Sequence, residues 1–281
     1  MLSWSAVTMG FDQDNPIFNQ LNLTIYPSMS VIGPSGSGKS TLLSSLLGYV
    51  SVYAGEILID GVPADRTVVG QLISYMPQEN ILPWDLTLRE YLSELAELDG
   101  QASIQVNKTV YDMASLVHLE SVLDRRLGHM SGGMKRRALL AAVLLYPAPW
   151  VIIDEPTSGL DPEEQLTVLG LLSELSQKRH VVIATSRLEE VAALQGDIVL
   201  VLPQGQVEIM SRQQLREVAL GHVFLLSEHD VDWGRSRLWQ PMPDGRVKIF
   251  SDKPLPNAVS VEPTLEDGYY WYLSQRELMV S

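Results

Sequence analysis

The stretch that decides the fold is Gly33-Pro34-Ser35-Gly36-Ser37-Gly38-Lys39-Ser40, preceded by the apolar run Met29–Ile32 and followed by Thr41-Leu42-Leu43. It fits G-x-x-x-x-G-K-[ST], in which a Gly-rich loop between a strand and a helix wraps its backbone N–H groups around phosphate oxygens. The glycines let the main chain approach closely. Lys39 would give a positive charge to the β- and γ-phosphates, Ser40 a hydroxyl to Mg²⁺, and Thr41 extends the same turn. An ordinary Gly/Ser-rich turn would need neither the strand nor the helix that flank this one.

A second apolar run, Val151-Ile152-Ile153, ends in Asp154-Glu155. On its own this could be a strand running out into solvated acids. Beside a phosphate cradle it delivers carboxylates to the crevice at the C-terminal ends of the strands. Asp154 would hold Mg²⁺ through water, and Glu155 would orient or deprotonate an attacking water.

Outward from these motifs, strand-length apolar runs alternate with segments of helical period from about residue 29 to 210, the pattern of an α/β domain with a largely parallel sheet. The candidate strands are 29–32, 56–59, 72–76, 150–154, 180–185 and 197–202. The candidate helices are 39–47, 88–98, 108–117, 132–145, 163–177 and 188–194. The stretch from about 84 to 135 holds no good strand and reads as a helical subdomain. After Arg212 the texture changes: residues 213–281 carry eight of the twenty aromatics, with turn signals at Pro243-Asp244-Gly245 and Pro254-Leu255-Pro256. We therefore expect a domain over 1–212 and a small α+β accessory domain over 213–281.

Composition narrows the function. The 281 residues hold 20 Lys and Arg against 34 Asp and Glu, a net charge of −14, and such a surface repels nucleic-acid backbones. The absence of cysteine excludes disulfides, thiolate metal sites and cysteine nucleophiles. The apolar run Ala138–Ile153 contains Pro147 and Pro149 and is too short to span a bilayer. With no signal-peptide layout in Met1-Leu2-Ser3-Trp4-Ser5, the expected location is cytoplasmic.

One further stretch carries a resemblance. Met130-Ser131-Gly132-Gly133-Met134-Lys135-Arg136-Arg137 is similar to the signature of the ATP-binding cassette (ABC) ATPases, usually Leu-Ser-Gly-Gly-Gln, and its glycines at a helix start suit an anion site. A small-molecule kinase with the same cradle would leave Ser131-Gly132-Gly133 unexplained. The resemblance covers residues 1 to about 212. It implies a P-loop NTPase (RecA-like) core with an antiparallel β edge, ATP and Mg²⁺ as cofactors, and a head-to-tail homodimer sandwiching two ATP molecules. Ser131, Gly132 and Gly133 would then clamp the γ-phosphate held by the opposite subunit. Gln78 resembles the glutamine that contacts Mg²⁺ and attacking water, and Pro156-Thr157-Ser158-Gly159-Leu160-Asp161 the loop that sends Asp161 across the dimer. Phe11 falls where the family stacks an aromatic on adenine, though it could also be a core phenylalanine.

Three departures stand out. Met134 replaces the usual glutamine, and Met-Lys-Arg-Arg resembles the drug and polysaccharide exporter branch. Ser186 stands where the family places a switch histidine, so slow hydrolysis is expected. The turn Tyr26-Pro27-Ser28-Met29 is shorter than usual. His180, at the opposite end of its strand, reads as structural.

Val261-Glu262-Pro263-Thr264-Leu265-Glu266-Asp267-Gly268-Tyr269 resembles the tail of the same exporter branch; read from its residues, Thr264 caps a terminal helix. Ile81-Leu82-Pro83-Trp84 is either an apolar patch for a permease helix or a loop tucked into the helical subdomain. Together these readings point to the ATPase subunit of an exporter, peripheral on the cytoplasmic face of a membrane beneath a separate transmembrane permease, with no direct nucleic-acid contact. The alternatives are a soluble ABC ATPase remodelling a ribosome or nucleic acid, and an ATP-binding regulatory cassette with weak hydrolysis.

Overall fold

The computed structural model describes residues 1–79, 81–100, 102–231 and 238–276. The chain divides into two compact units, Met1–Glu208 and Ile209–Ser281.

In the first unit, β3 (Ser30–Ile32), β6 (Ile73–Met76), β7 (Trp150–Asp154), β8 (His180–Thr185), β9 (Ile198–Leu202) and β10 (Gln206–Met210) form a six-stranded sheet in the order β10-β9-β3-β8-β7-β6. The pairs from β9 through β6 are parallel. Strands β7 and β9 are buried along their whole length, as expected of a sheet covered on both faces. Period-two alternation divides the side chains of β7 and β8 between two cores. Val151, Ile153, Val181 and Ile183 face one, shared with the helical segment, while Trp150, Ile152, Val182 and Ala184 face the other. The register pairs Ile32 with Thr185 and Asp154 with Ala184, which brings the C-terminal ends of three strands into line.

The second core lies under an antiparallel sheet of β1 (Leu2–Gly10), β2 (Phe18–Ile25), β4 (Ser51–Ile59) and β5 (Val62–Pro63), ordered β2-β1-β4-β5. The sequence reading found only residues 56–59 of it. The cause is local: β1 is buried at Leu2 and Trp4 and again at Val7 and Met9, but the register slips between them at Ser5 and Ala6. Gly55 sits opposite, where a Cβ would lie 2.4 Å from the Ala6 carbonyl oxygen. The bulge breaks the alternation that identifies a strand. Helix α1 (Lys39–Leu46) presses Leu42, Leu43 and Leu46, all fully buried, into this core. Each contributes about 1.5–3 kcal/mol. Helix α2 (Arg66–Leu72), unanticipated in the sequence, is capped by the Asp65 carboxylate.

Between Trp84 and Lys135 the described residues contain helices α3 (Leu88–Leu98), α4 (Ser103–Leu116) and the start of α5 (Gly132–Leu145), with no strand beyond an isolated bridge of Thr87 to Arg126. Thr87 and Glu90 close a capping box on α3. Helix α4 begins five residues before the expected Lys108. Helix α6 (Pro162–Ser176) follows β7, and α7 (Leu188–Val191) follows β8, ending short of the expected Leu194.

The second unit contains α8 (Arg212–Glu217), an antiparallel sheet ordered β12-β13-β11-β14 and α9 (Leu265–Gln275), with β11 (Val223–Ser227), β12 (Trp239–Pro241), β13 (Arg246–Phe250) and β14 (Val259–Ser260). Thr264 caps α9 reciprocally with Asp267. A Cβ on Gly268 would lie 1.9 Å from the Leu215 carbonyl oxygen, so α8 and α9 touch backbone to backbone there. Asp267 is buried and accepts a 2.8 Å hydrogen bond from Lys248. The boundary between the units falls inside β10, four residues before the expected 212.

Candidate functional site

A cleft of about 360 Å³ opens at the aligned strand ends. Ser35, Gly36, Gly38, Lys39, Ser40 and Thr41 form its floor, and Ile17, Gln78 and Glu155 its sides. The cradle has its shape because Gly36 and Gly38 take φ of +76° and +103°, left-handed values that carry α1 off the loop with its N–H groups facing the cleft. Gly33, Pro34 and Ser37 do not line the cleft. A Cβ on Gly33 would lie 2.0 Å from the Val201 carbonyl oxygen, so this glycine is required by close packing on β9. Lys39 folds back to donate to the Gly33 and Pro34 carbonyls at 2.8 and 3.1 Å. Burial lowers its pKa, opposed by the negative charges of Glu155 and Asp154.

Asp154 ends β7 almost fully buried, hydrogen-bonded to Ser40, and its Oδ1 has no partner. Burial pushes its pKa up, offset in part by the Ser40 bond. An orphaned carboxylate oxygen beside a serine hydroxyl suits a hard cation such as Mg²⁺. Among the described residues no three His, Cys, Asp or Glu side chains cluster to hold a metal alone, so phosphate and water would complete its shell. Glu155 has φ of +48°, a left-handed conformation, and its amide donates to the Ala184 carbonyl at 2.7 Å. Its Oε1 accepts a 3.0 Å bond from the Ser186 backbone N–H. Ser186 therefore touches the carboxylate through its main chain, and its own side chain is exposed.

Sequence reasoning missed a supporting network. Arg136 of α5, fully buried, donates to the carbonyls of Pro77, Gln78, Asp154, Glu155 and Pro156 at 2.6 to 3.0 Å. Burial brings its pKa down to about 10, against the pull of Glu190, Asp154 and Glu155. Buried Glu190 accepts from the Thr157 N–H at 3.2 Å and from the Thr157 hydroxyl, which also receives an Arg187 bond at 3.4 Å. Ile17, the apolar wall, was missed as well; Gly38 packs against it and against the buried Phe18 ring.

The other expected residues lie elsewhere. Phe11 is 72% exposed, which removes the core reading, and it does not line the cleft. Ser131, Gly132, Gly133 and Asp161 lie outside this chain's cleft. Ser131 caps α5, accepting from the Met134 N–H at 3.1 Å, and donates to Glu164 at 3.4 Å. Asp161 caps α6, accepting from the Glu164 N–H at 2.8 Å. His180 packs tilted against Trp150, ring centroids 4.9 Å apart, with the Trp150 indole N–H bonding Asp60 at 2.9 Å, at the end of β8 away from the cleft. In the loop at 81–84, Leu82 packs on the helical core, while Ile81 and Trp84 are 74% and 75% exposed.

A family model described as "ABC transporter" matches residues 18–158. Among curated relatives, the "ATP-dependent lipid A-core flippase" of Alcanivorax borkumensis is 31% identical over 227 residues, covering 77% of this chain and 39% of that protein. The "Nod factor export ATP-binding protein I" of Rhizobium meliloti is 31% identical over 205 residues, covering 72% of this chain and 61% of that one. This chain thus spans less than two-thirds of either relative. The dimeric structure of a bacterial ABC transporter cassette superposes with a TM-score of 0.66 at 23% identity, over 74% of this chain and 98% of that one. That likeness shows the same fold. A family match over half the chain, on the segment that carries the cradle, Gln78, the signature and the carboxylate pair, makes this chain a member of the ABC transporter family.

Proposed function

We propose that this chain is the ATP-binding and ATP-hydrolysing subunit of an exporter, working as a dimer on the cytoplasmic face beneath a separate membrane permease. The observation that carries the reading is the convergence of Lys39, Ser40, Gln78 and Glu155 on one cleft, with the unpartnered Oδ1 of Asp154 beside it. Cradle amides and Lys39 would bind the phosphates, and Ser40, Asp154 and Gln78 would hold Mg²⁺. When bound, Mg²⁺ neutralises charge developing on the β- and γ-phosphate oxygens. The Ser186 N–H fixes Oε1 of Glu155 and leaves Oε2 to take a proton from the attacking water.

Ser131, Gly132, Gly133 and Asp161 do not line this chain's own cleft. A head-to-tail second copy gives them a phosphate to clamp, and the solved relative is a dimer. Phe11, exposed beyond β1, is free to stack on adenine. Export is supported by the relatives named as a flippase and an export protein and by Met134-Lys135-Arg136-Arg137. Among the described residues no helix is long and apolar enough to cross a membrane; exposed Ile81 and Trp84 suit the docking of the permease. Residues 213–281 form an accessory domain, with Thr264 serving its helix rather than a ligand.

The test is Mg²⁺-dependent phosphate release by the purified chain together with its recovery from gently solubilised native membranes. Glu155→Gln is expected to lower kcat by about 10²–10⁴-fold while retaining ATP, and a multi-span protein is expected to co-purify. Recovery with ribosomes or nucleic acid instead would overturn the exporter reading.

A further inference from the structure

Arg136 lies one turn into α5, about 6 Å along the axis from Gly132. The N-terminal end of that helix, Ser131 and Gly132, is exposed and outside this chain's cleft. Its Arg136 is fully buried and grips the loops after β6 and β7 together. Five donor bonds reach five carbonyls: Pro77 at 2.7 Å and Gln78 at 3.0 Å on one side, Asp154 at 2.6 Å, Glu155 at 2.7 Å and Pro156 at 3.0 Å on the other. Three of those residues are the ones whose side chains serve the phosphates, metal and water in the reading above.

A guanidinium is a rigid plane with five N–H donors in a fixed fork. With those donors engaged on two loops, the side chain has little torsional slack, and α5 cannot shift without carrying the loops with it. We propose that Arg136 is a positioning residue coupling the two nucleotide sites of the dimer: when the α5 N-terminus engages the partner copy's nucleotide, Arg136 moves Gln78 and Glu155 into place in its own cleft. The inference rests on the dimer reading above. It gives α5 two tasks at opposite ends of one turn, contact with the other copy's ATP and control of its own.

Arg136→Lys separates geometry from charge. Lysine keeps a cation opposite Glu190, Asp154 and Glu155, but its three donors radiate from one nitrogen and cannot span both loops. Equilibrium ATP binding, melting temperature and the ATP dependence of hydrolysis are measured on wild type and variant. ATP-driven dimer formation is measured in the Glu155→Gln background. The expected result is ATP affinity within about threefold of wild type, a retained dimer, kcat lower by about tenfold or more, and a Hill coefficient falling from above 1 to about 1. Unchanged kcat and Hill coefficient would overturn the proposal.

Should Arg136→Lys fail to fold, hydrogen exchange on protein with Arg136 intact decides the matter. In Glu155→Gln, exchange at Gln78–Glu79 and Thr157–Ser158 is expected to slow when ATP closes the dimer. In Glu155→Gln/Ser131→Arg, which binds ATP but is blocked from closing, it is expected not to slow beyond the effect of ATP on a monomer. Equal slowing in both refutes the coupling. A wild-type chain that hydrolyses ATP but never dimerises overturns the dimer reading and this inference together.

Discussion

Ser186→His is expected to accelerate hydrolysis, and the structure sets the scale. Ser186 is exposed one residue past β8, so the substitution disturbs no core and changes stability by no more than about 0.5 kcal/mol. Its contact with the Glu155 carboxylate is a 3.0 Å bond from the backbone N–H, which survives any replacement except proline. The proposed general base, Glu155, therefore keeps its orientation, and what changes is the side chain beside it. An imidazole reaches farther than a hydroxyl and can carry charge. A hydrogen bond from a charged donor is worth about 1.5–3 kcal/mol. Realised only in the transition state, that amounts to about a tenfold to hundredfold rise in kcat. An ordinary histidine pKa of about 6.5 makes the gain larger at pH 6 than at pH 8 if the imidazolium is the active form. The assay is phosphate release at saturating Mg²⁺ and ATP across that range, with Glu155→Gln and the double variant as backgrounds. An unchanged or lower rate, with ATP affinity and melting temperature intact, refutes the argument that the residue at 186 limits turnover. Acceleration that persists without the Glu155 carboxylate refutes the argument that the two act together.

Two stability predictions concern buried charges. Lys248→Met leaves the Asp267 carboxylate, 2% exposed, without its cation, and is expected to destabilise the second unit by about 3–5 kcal/mol; loss of exchange protection along β13 and α9 in urea reads it, and a shift under 1 kcal/mol would mean that water reaches the pair. Glu190 has its pKa raised above 4.5 by burial first, then by Glu155, against the bonds from Thr157 and Thr185. The folded chain therefore holds this proton more tightly than the unfolded one, and the stability the group contributes is lost as pH rises from 4.5 through the raised value. Glu190→Gln removes that slope, so its melting temperature relative to wild type is expected to climb between pH 4.5 and 7; a flat or falling difference would show that the carboxyl is not raised.

What could be read from the chain alone follows residue chemistry. The cradle, the acids after β7 and the helical segment announce themselves because their defining residues are neighbours in sequence or recur at a helical period. Arg136 was out of reach for the opposite reason: its partners lie 18 to 59 residues away and are main-chain carbonyls, which every residue has. Glu190 offered a faint signal, an acid on the buried side of a short helix just after Ser186, and Ile17 offered none. Strands β1 and β2 escaped because the bulge at Ala6 interrupts the alternation of one and two consecutive exposed residues, Asn19 and Gln20, interrupt that of the other. Phe11 could be assigned by position only, and its exposure shows which of the two readings the fold permits.

The left-handed backbone of Glu155 has a consequence for anyone improving this protein. A residue with a Cβ at φ of +48° costs about 1 kcal/mol or more, a cost that Gly escapes and Asn partly escapes. The position is thus occupied by a side chain its own main chain disfavours. A screen for heat resistance alone would reward Gly or Asn at 155, and its most durable survivors would be chains that had traded away the carboxylate. Thermal selection on this fold has to be run with turnover in the same round.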